Sequence, residues 1–289
     1  MGENTRENRS GRAAESGNYV PLKELNLTNH FLFGEVMNDP ETCRTALEII
    51  LGRKISKVIQ HSREHELEVH PIYKGIRLDV CFEDEEDTVY SVEIQNVNRY
   101  HLPRRSRHYQ SMVDVKMMKK GEVDYRKLPD GIVIFICTFD LFGYGRYCYT
   151  FENRCLEEPE LALGDGTKKI FLNTRGCNDN ETNQELIEFL RCIEHTNEMR
   201  TANEKIEKIL ERVRKVKQDA QTEGRYMTTR EWMNELRVDA KEEGLAEGRE
   251  EGRQEGKVLA YAEMGLSVIQ IADKVGISEA NVRDILDNN

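Results

Sequence analysis

Long hydrophobic runs are missing from this 289-residue chain. Nothing approaches the roughly eighteen consecutive apolar residues that a membrane-spanning helix needs, which excludes a helical span. Apolar residues make up 38% of the chain and charged residues 33%. That is a low apolar share for one compact fold, so part of the chain is expected to be extended helix or disordered. The seven cysteines are odd in number, form no CxxC, and have no short Cys/His cluster around them. A disulfide framework and a zinc site are therefore both disfavoured, and a reducing cytoplasm is the simpler setting. Arg6 stands where a myristoylation signal would need Ser or Thr, and the start of the chain has no apolar stretch for a secretory signal. Positive charge is in deficit: the formal net charge is −11. An acidic chain is kept off nucleic acid unless it concentrates positive charge locally, so any such function requires a basic patch.

Residues 1–20 are polar and rich in Gly, Ser and Asn, and read as a disordered tail. A mixed region, 21–178, follows. Asn38-Asp39-Pro40 opens a helix through Ala46, Leu47 and Ile50 that Gly52 ends. Strand-like segments are Leu67–Val69, Ile76–Phe82, Val89–Gln95, Ile132–Cys137 and Arg146–Phe151, with a helix starting near Pro103 and ending before Gly121. Strands on either side of a helix, with one hairpin, indicate a mixed α/β sheet. From 179 to 256 the pattern is helical only, with apolar faces at Leu186, Ile187, Leu190 and Ile193 and at Ile206, Ile209, Leu210, Val213 and Val216. The second face suits helix pairing or a short coiled coil, and with it a homo-oligomer. Glycines at 244, 248, 252 and 256 each follow a glutamate. Each costs about 1 kcal/mol in a helix, so the stripe means either close helix approach or a flexible connector. Residues 257–289 read as two short helices capped by Ser267 and Ser278, with Gly276 at the turn.

The chemistry lies in the hairpin. Ile76, Leu78, Val80 and Phe82 share one strand face, and Arg77, Asp79 and Cys81 the other. In the next strand Ser91, Glu93 and Gln95 share a face. If Phe82 pairs with Thr88, Asp79 faces Ser91 and lies diagonal to Glu93, about 7–8 Å away at Cα and within reach of a shared cation. A slip of one residue would separate them. Two carboxylates suit Mg²⁺, with Mn²⁺ as a substitute, and such an ion activates water and neutralises phosphoryl charge. Gln95 can orient water but cannot act as a base. On spacing alone, two acids on a hairpin are more often a solvated face than a metal site.

A local reversal of charge follows. Arg99, His101, Arg104, Arg105, Arg107, His108, Lys116, Lys119 and Lys120 are interrupted only by Asp114. They can hold a phosphate backbone, with Arg104, Arg105, Arg107 and Tyr109 as candidate substrate contacts. A solvated helix face explains the same run, and Tyr109 fits a core equally well.

These residues also carry a resemblance. Lys74-Gly75-Ile76-Arg77-Leu78-Asp79-Val80, Val92-Glu93-Ile94-Gln95, Leu102-Pro103-Arg104-Arg105-Ser106-Arg107-His108-Tyr109-Gln110 and Ile134-Phe135-Ile136-Cys137-Thr138-Phe139-Asp140, in that order, resemble the Rpn family of recombination-promoting nucleases and transposases within the PD-(D/E)XK superfamily. The resemblance covers most of residues 25–175, and the Glu-Gly repeat also fits it. It implies a restriction-endonuclease-like αβββαβ core, Mg²⁺-dependent DNA hydrolysis and a bacterial mobile-element setting. By the same resemblance Asp79 and Glu93 are the metal-binding acids, and Gln95 stands at the usual lysine position. His30 stands where the family's opening has an aspartate.

Three functions remain in competition. The first is a DNA endonuclease of recombination or transposition. The second is a catalytically weak DNA-binding or assembly protein that keeps the fold. The third is a regulator acting through residues 257–289, where Ala272, Gly276 and Val282 match the small, turn and core positions of a helix-turn-helix. There the second helix carries Glu279, Asp284 and Asp287 beside Arg283, a poor face for DNA, so a protein–protein role comes first and DNA docking second.

Overall fold

The computed structural model describes residues 20–60, 65–67, 76–78, 80–98, 101–118 and 123–288. Helix α1 (His30–Met37) begins at Asn29, whose side chain accepts hydrogen bonds from the amides of Phe31 and Leu32. Helix α2 (Pro40–Leu51) begins at Asp39, which caps Thr42, and ends at Gly52 in the left-handed region. The remaining elements are β1 (Val58–Gln60), β2 (His65–Leu67), β3 (Ile76–Leu78), β4 (Val80–Asp84), β5 (Val89–Gln95), α3 (Leu102–Met117), β6 (Gly131–Cys137), β7 (Cys148–Phe151), β8 (Thr167–Asn173), α4 (Gln184–Glu194), α5 (Glu204–Gln218), α6 (Ala220–Glu263), α7 (Val268–Val275) and α8 (Glu279–Asp287).

Six strands form one sheet in the order β1-β4-β5-β6-β8-β7, and β2 pairs with β3 apart from it. The β1, β4 and β5 ladders are antiparallel, β5-β6-β8 is parallel, and β7 returns antiparallel. A parallel neighbour requires a crossover, which α3 supplies between β5 and β6. Elements α2, β1, β4, β5, α3 and β6 therefore follow the αβββαβ order, with the β2–β3 pair inserted and β7–β8 extending the sheet.

Strand β5 is buried along its whole length because helices cover both faces. On one face Val92 and Ile136 meet Phe33, Leu47 and Phe189, from α1, α2 and α4. On the other, Val89, Val133, Phe135 and Phe171 pack under Leu102, Tyr109, Met112 and Val113 of α3. Phe135 and Phe171 are stacked with centroids 5.5 Å apart.

The sheet differs from the sequence reading. Neither β1 nor β8 was expected, and the segment Ile76–Phe82, read as one strand, is divided between β3 and β4; β8 is flanked by β6 and β7. Strand β7 starts at Cys148 rather than Arg146. The hairpin register is also shifted: Phe82 pairs with Tyr90, not with Thr88. The cause is the turn. Asp84 donates its amide to the carbonyl of Thr88, leaving a three-residue loop whose last residue, Asp87, has φ +59°. A left-handed third residue is characteristic of that hairpin loop. The shift is two residues, so strand faces keep their parity.

The chain divides into two units, Met1–Glu223 and Gly224–Asn289. In the first, α5 packs on α1 and α2. In the second, Val258, Ile271 and Val282 form a small core with Ala272, Val275, Ile277 and Ile285 around it. Ser267 forms a capping box with Gln270, Gly276 ends α7 at φ +81°, and Ser278 caps α8. The Glu-Gly repeat lies within the continuous helix α6, and a Cβ added at Gly244, Gly248, Gly252 or Gly256 would meet nothing within 4 Å. No helix among the described residues is long and apolar enough to cross a membrane. Cys43, Cys137, Cys148, Cys155, Cys177 and Cys192 are free thiols.

The β4–β5 hairpin is fastened by Asp84. Its buried carboxylate accepts from Tyr90 Oη at 2.6 Å, from the amides of Glu86 and Thr88 at 3.0 Å each, and from Arg53 at 3.1 Å. Burial alone would raise its pKa. The hydrogen bonds from Tyr90, Thr88, Glu86 and Arg53 outweigh burial and hold it below the ordinary 3.8. A carboxylate that titrates lower when folded stabilises fully above its unfolded value and loses that contribution as pH falls through the folded one. Replacing Asp84 with Asn is expected to lower stability by about 1.5–3 kcal/mol at pH 7. In urea denaturation the gap between variant and parent should shrink below pH 4.

Candidate active site

Glu93 sits on the α3-covered face of β5 because it shares strand parity with Val89. Its lateral neighbour in the ladder is Phe135. The side chain is only 1% exposed, which for a carboxylate demands a partner. Arg105 of α3 provides one: Arg105 Nη2 lies 2.9 Å from Glu93 Oε2. The guanidinium also donates through Nε to Tyr109 Oη at 2.7 Å and through Nη2 to the same oxygen. It lies 4.9 Å from the Tyr109 ring centroid and 5.8 Å from that of Phe135. Glu93, Arg105 and Tyr109 are thus a single cluster.

The residues expected at the site separate into three groups. Glu93 and Gln95 occupy one face, as expected, and Gln95 is 8% exposed. Gln95 Nε2 donates to the carbonyl of Ile94 at 2.8 Å, and among the described residues Oε1 has no partner, so it can accept from a water. On α3, Arg104, Arg107 and His108 are exposed along the solvent side, where a polyanion can reach them. Arg105 and Tyr109 instead face the sheet, and Tyr109 belongs to the core cluster. Asp79, Arg99, Lys119 and Lys120 lie outside the described residues. His30 is exposed at the first position of α1.

Periodicity held the signal for Arg105. Leu102, Arg105, Tyr109 and Val113 follow one another at helical spacing, so the arginine interrupts an apolar stripe. A cation in that position announces a buried acid to meet it.

Glu93 supplies a hard oxygen donor of the kind Mg²⁺ takes. Among the described residues no group of three His, Cys, Asp or Glu side chains could hold a metal. The second acid expected from the sequence is Asp79. It precedes Val80, whose ladder partner is Val92, and Glu93 follows Val92.

A family model described as PD-(D/E)XK nuclease family transposase matches residues 30–244. The chain belongs to that family. For a PD-(D/E)XK nuclease family transposase, the mixed sheet with its αβββαβ order is the expected fold, DNA is the implied substrate, and a divalent metal is the general cofactor. No curated protein and no solved structure matches the chain.

The ion pair generates a stability prediction. Arg105→Met takes the guanidinium from a buried carboxylate and is expected to cost about 2–3 kcal/mol. Combined with Glu93→Gln, the loss should be clearly less than the sum of the two single losses in a urea-denaturation double-mutant cycle. Additive losses would show that the pair contributes no coupling.

Proposed function

We propose that this transposase-family chain is a metal-dependent DNA endonuclease acting in recombination or transposition, with Asp79 and Glu93 as its metal-holding acids. The observation that carries the reading is the buried Glu93 carboxylate, held by Arg105 two residues from the end of β5. A hydrophobic sheet face does not retain a charge without a use or a partner, and here the partner comes from the helix that carries the exposed basic residues.

Mg²⁺ or Mn²⁺ bound there would acidify a water molecule and neutralise charge on the phosphoryl group. The chain's own residues do the rest. Gln95 Oε1 orients the attacking water without taking its proton. Arg105 holds Glu93 in place and brings to the acid a positive charge that the strand lacks at Gln95. Arg104 and Arg107 grip the phosphate backbone from the exposed side of α3, a sequence-independent contact that weakens with salt.

A catalytically weak DNA-binding protein is the second reading. The contact between Arg105 and Glu93 Oε2 favours it, since a guanidinium there competes for an oxygen a metal would use.

Supercoiled plasmid distinguishes the two. Wild type with Mg²⁺ or Mn²⁺ should nick and linearise it, while EDTA, Asp79→Ala and Glu93→Ala should each reduce cutting to background. Equal cutting by all three proteins would place the chemistry elsewhere. DNA binding without cutting by any folded form would establish the second reading.

A further inference from the structure

The loop between β6 and β7 opens at the same sheet end as Gln95: β5, β6 and β8 run parallel, with Gln95, Cys137 and Asn173 in register. The amide of Thr138 donates directly to the carbonyl of Gln95 at 3.0 Å. Ligands of open parallel sheets bind at the carboxyl ends of the strands.

Two side chains organise this loop. Asp140 accepts from the amides of Phe142, Gly143 and Gly145 at 3.1, 3.0 and 2.6 Å, and from the Tyr149 hydroxyl. Tyr149 Oη in turn accepts from the amides of Tyr144 and Arg146 at 3.2 and 3.1 Å. Gly145 has φ +68°, and a Cβ on it would come within 2.6 Å of Cys177 Sγ, so the far side of the loop is clamped as well. Phe142 is locked into rings of Tyr149, Phe151 and Phe171, and Tyr147 donates to Asp179.

Tyr144 is the exception. It stands between two left-handed glycines, Gly143 and Gly145, and is 81% exposed. Its side chain has no hydrogen bond and no ring contact among the described residues. A fixed loop presenting an unused aromatic ring bears little conformational cost when that ring is covered by a ligand.

We propose that Tyr144 is a stacking platform for a nucleobase of the DNA held at the candidate site, most effective on unpaired bases, whose faces are open. The proposal rests on the nucleic-acid reading of the site. Stacking on an aromatic ring strengthens binding about tenfold or more per base and tolerates any base, since every base has a π-face.

Fluorescence anisotropy of labelled single-stranded and duplex oligonucleotides in EDTA tests it with the full chain. Tyr144→Ala should weaken single-strand binding about tenfold, the duplex less, and leave the unfolding midpoint unchanged. Tyr144→Phe should bind like wild type, because the ring and not the hydroxyl is used. In a Trp232→Phe background, Tyr144→Trp should lose fluorescence when single-stranded DNA is added. Wild-type affinity in Tyr144→Ala, or a tryptophan signal indifferent to DNA, would overturn the stacking role while leaving the nuclease reading intact. A wild-type chain that binds no DNA in EDTA and cuts none with Mg²⁺ or Mn²⁺ would overturn both.

Discussion

Burying the Glu93 carboxylate is the constraint from which the rest of the site follows. A charge that is 1% exposed on a sheet face must meet an opposite charge, and its neighbours along that face of β5, Ser91 and Gln95, are uncharged. The cation has to come from the covering layer, and α3 supplies it one turn from its N-terminus. Arg105 then needs its own support, which Tyr109 gives one turn later through its hydroxyl and ring. The crossover helix is thus positioned by charge as well as by Leu102, Met112 and Val113. Charged hydrogen bonds are directional, and apolar packing alone would allow the helix to slide.

Two further carboxylates repeat the device at other points of the sheet. Asp84 closes the hairpin leading into β5, and Asp140 organises the loop leaving β6. Burial opposes the ionised form of each, and hydrogen bonds reverse the outcome, holding both acids below their ordinary pKa. At Asp140 those bonds come from Gly145, Gly143, Tyr149 and Phe142. Each acid gathers backbone amides that a turn would otherwise leave unsatisfied. Rigid turns at both ends of the central strands keep Glu93 and Gln95 in a fixed frame.

Much of this was legible in the sequence, for identifiable reasons. Asp39-Pro40 and Gly52 bound a helix where they were expected, and the alternation in Val89–Gln95 placed Glu93 and Gln95 together. Strand β8 escaped because Thr167-Lys168-Lys169 is polar and only Ile170-Phe171-Leu172 is apolar; its pairing with β6 and β7 makes it a strand, which local propensity does not report. Helix α1 escaped because His30-Phe31-Leu32-Phe33-Gly34 shows no clean helical period. The hairpin register was off by two because a left-handed Asp87 permits a shorter loop than five acidic residues suggest. Parity survived that error, so the face assignment did too. Among the basic residues, net charge could not separate Arg105 from Arg104 and Arg107; only the apolar stripe around it does.

That separation has a mechanistic consequence in the proposed reading. Arg104 and Arg107 point to solvent while Arg105 reaches the acid, and all three lie within a single turn of α3. Phosphates drawn to the outer face therefore pull on the same rigid segment that holds Glu93. A lysine on β5 would have kept the site's cation independent of the helix. With Gln95 in that position, the charge at Glu93 depends on where α3 sits, and substrate binding and the state of the acid become coupled through one helix. Such coupling costs catalytic independence and gains discrimination: an empty site keeps its carboxylate engaged by Arg105, and only a ligand able to displace or share that guanidinium frees the oxygen.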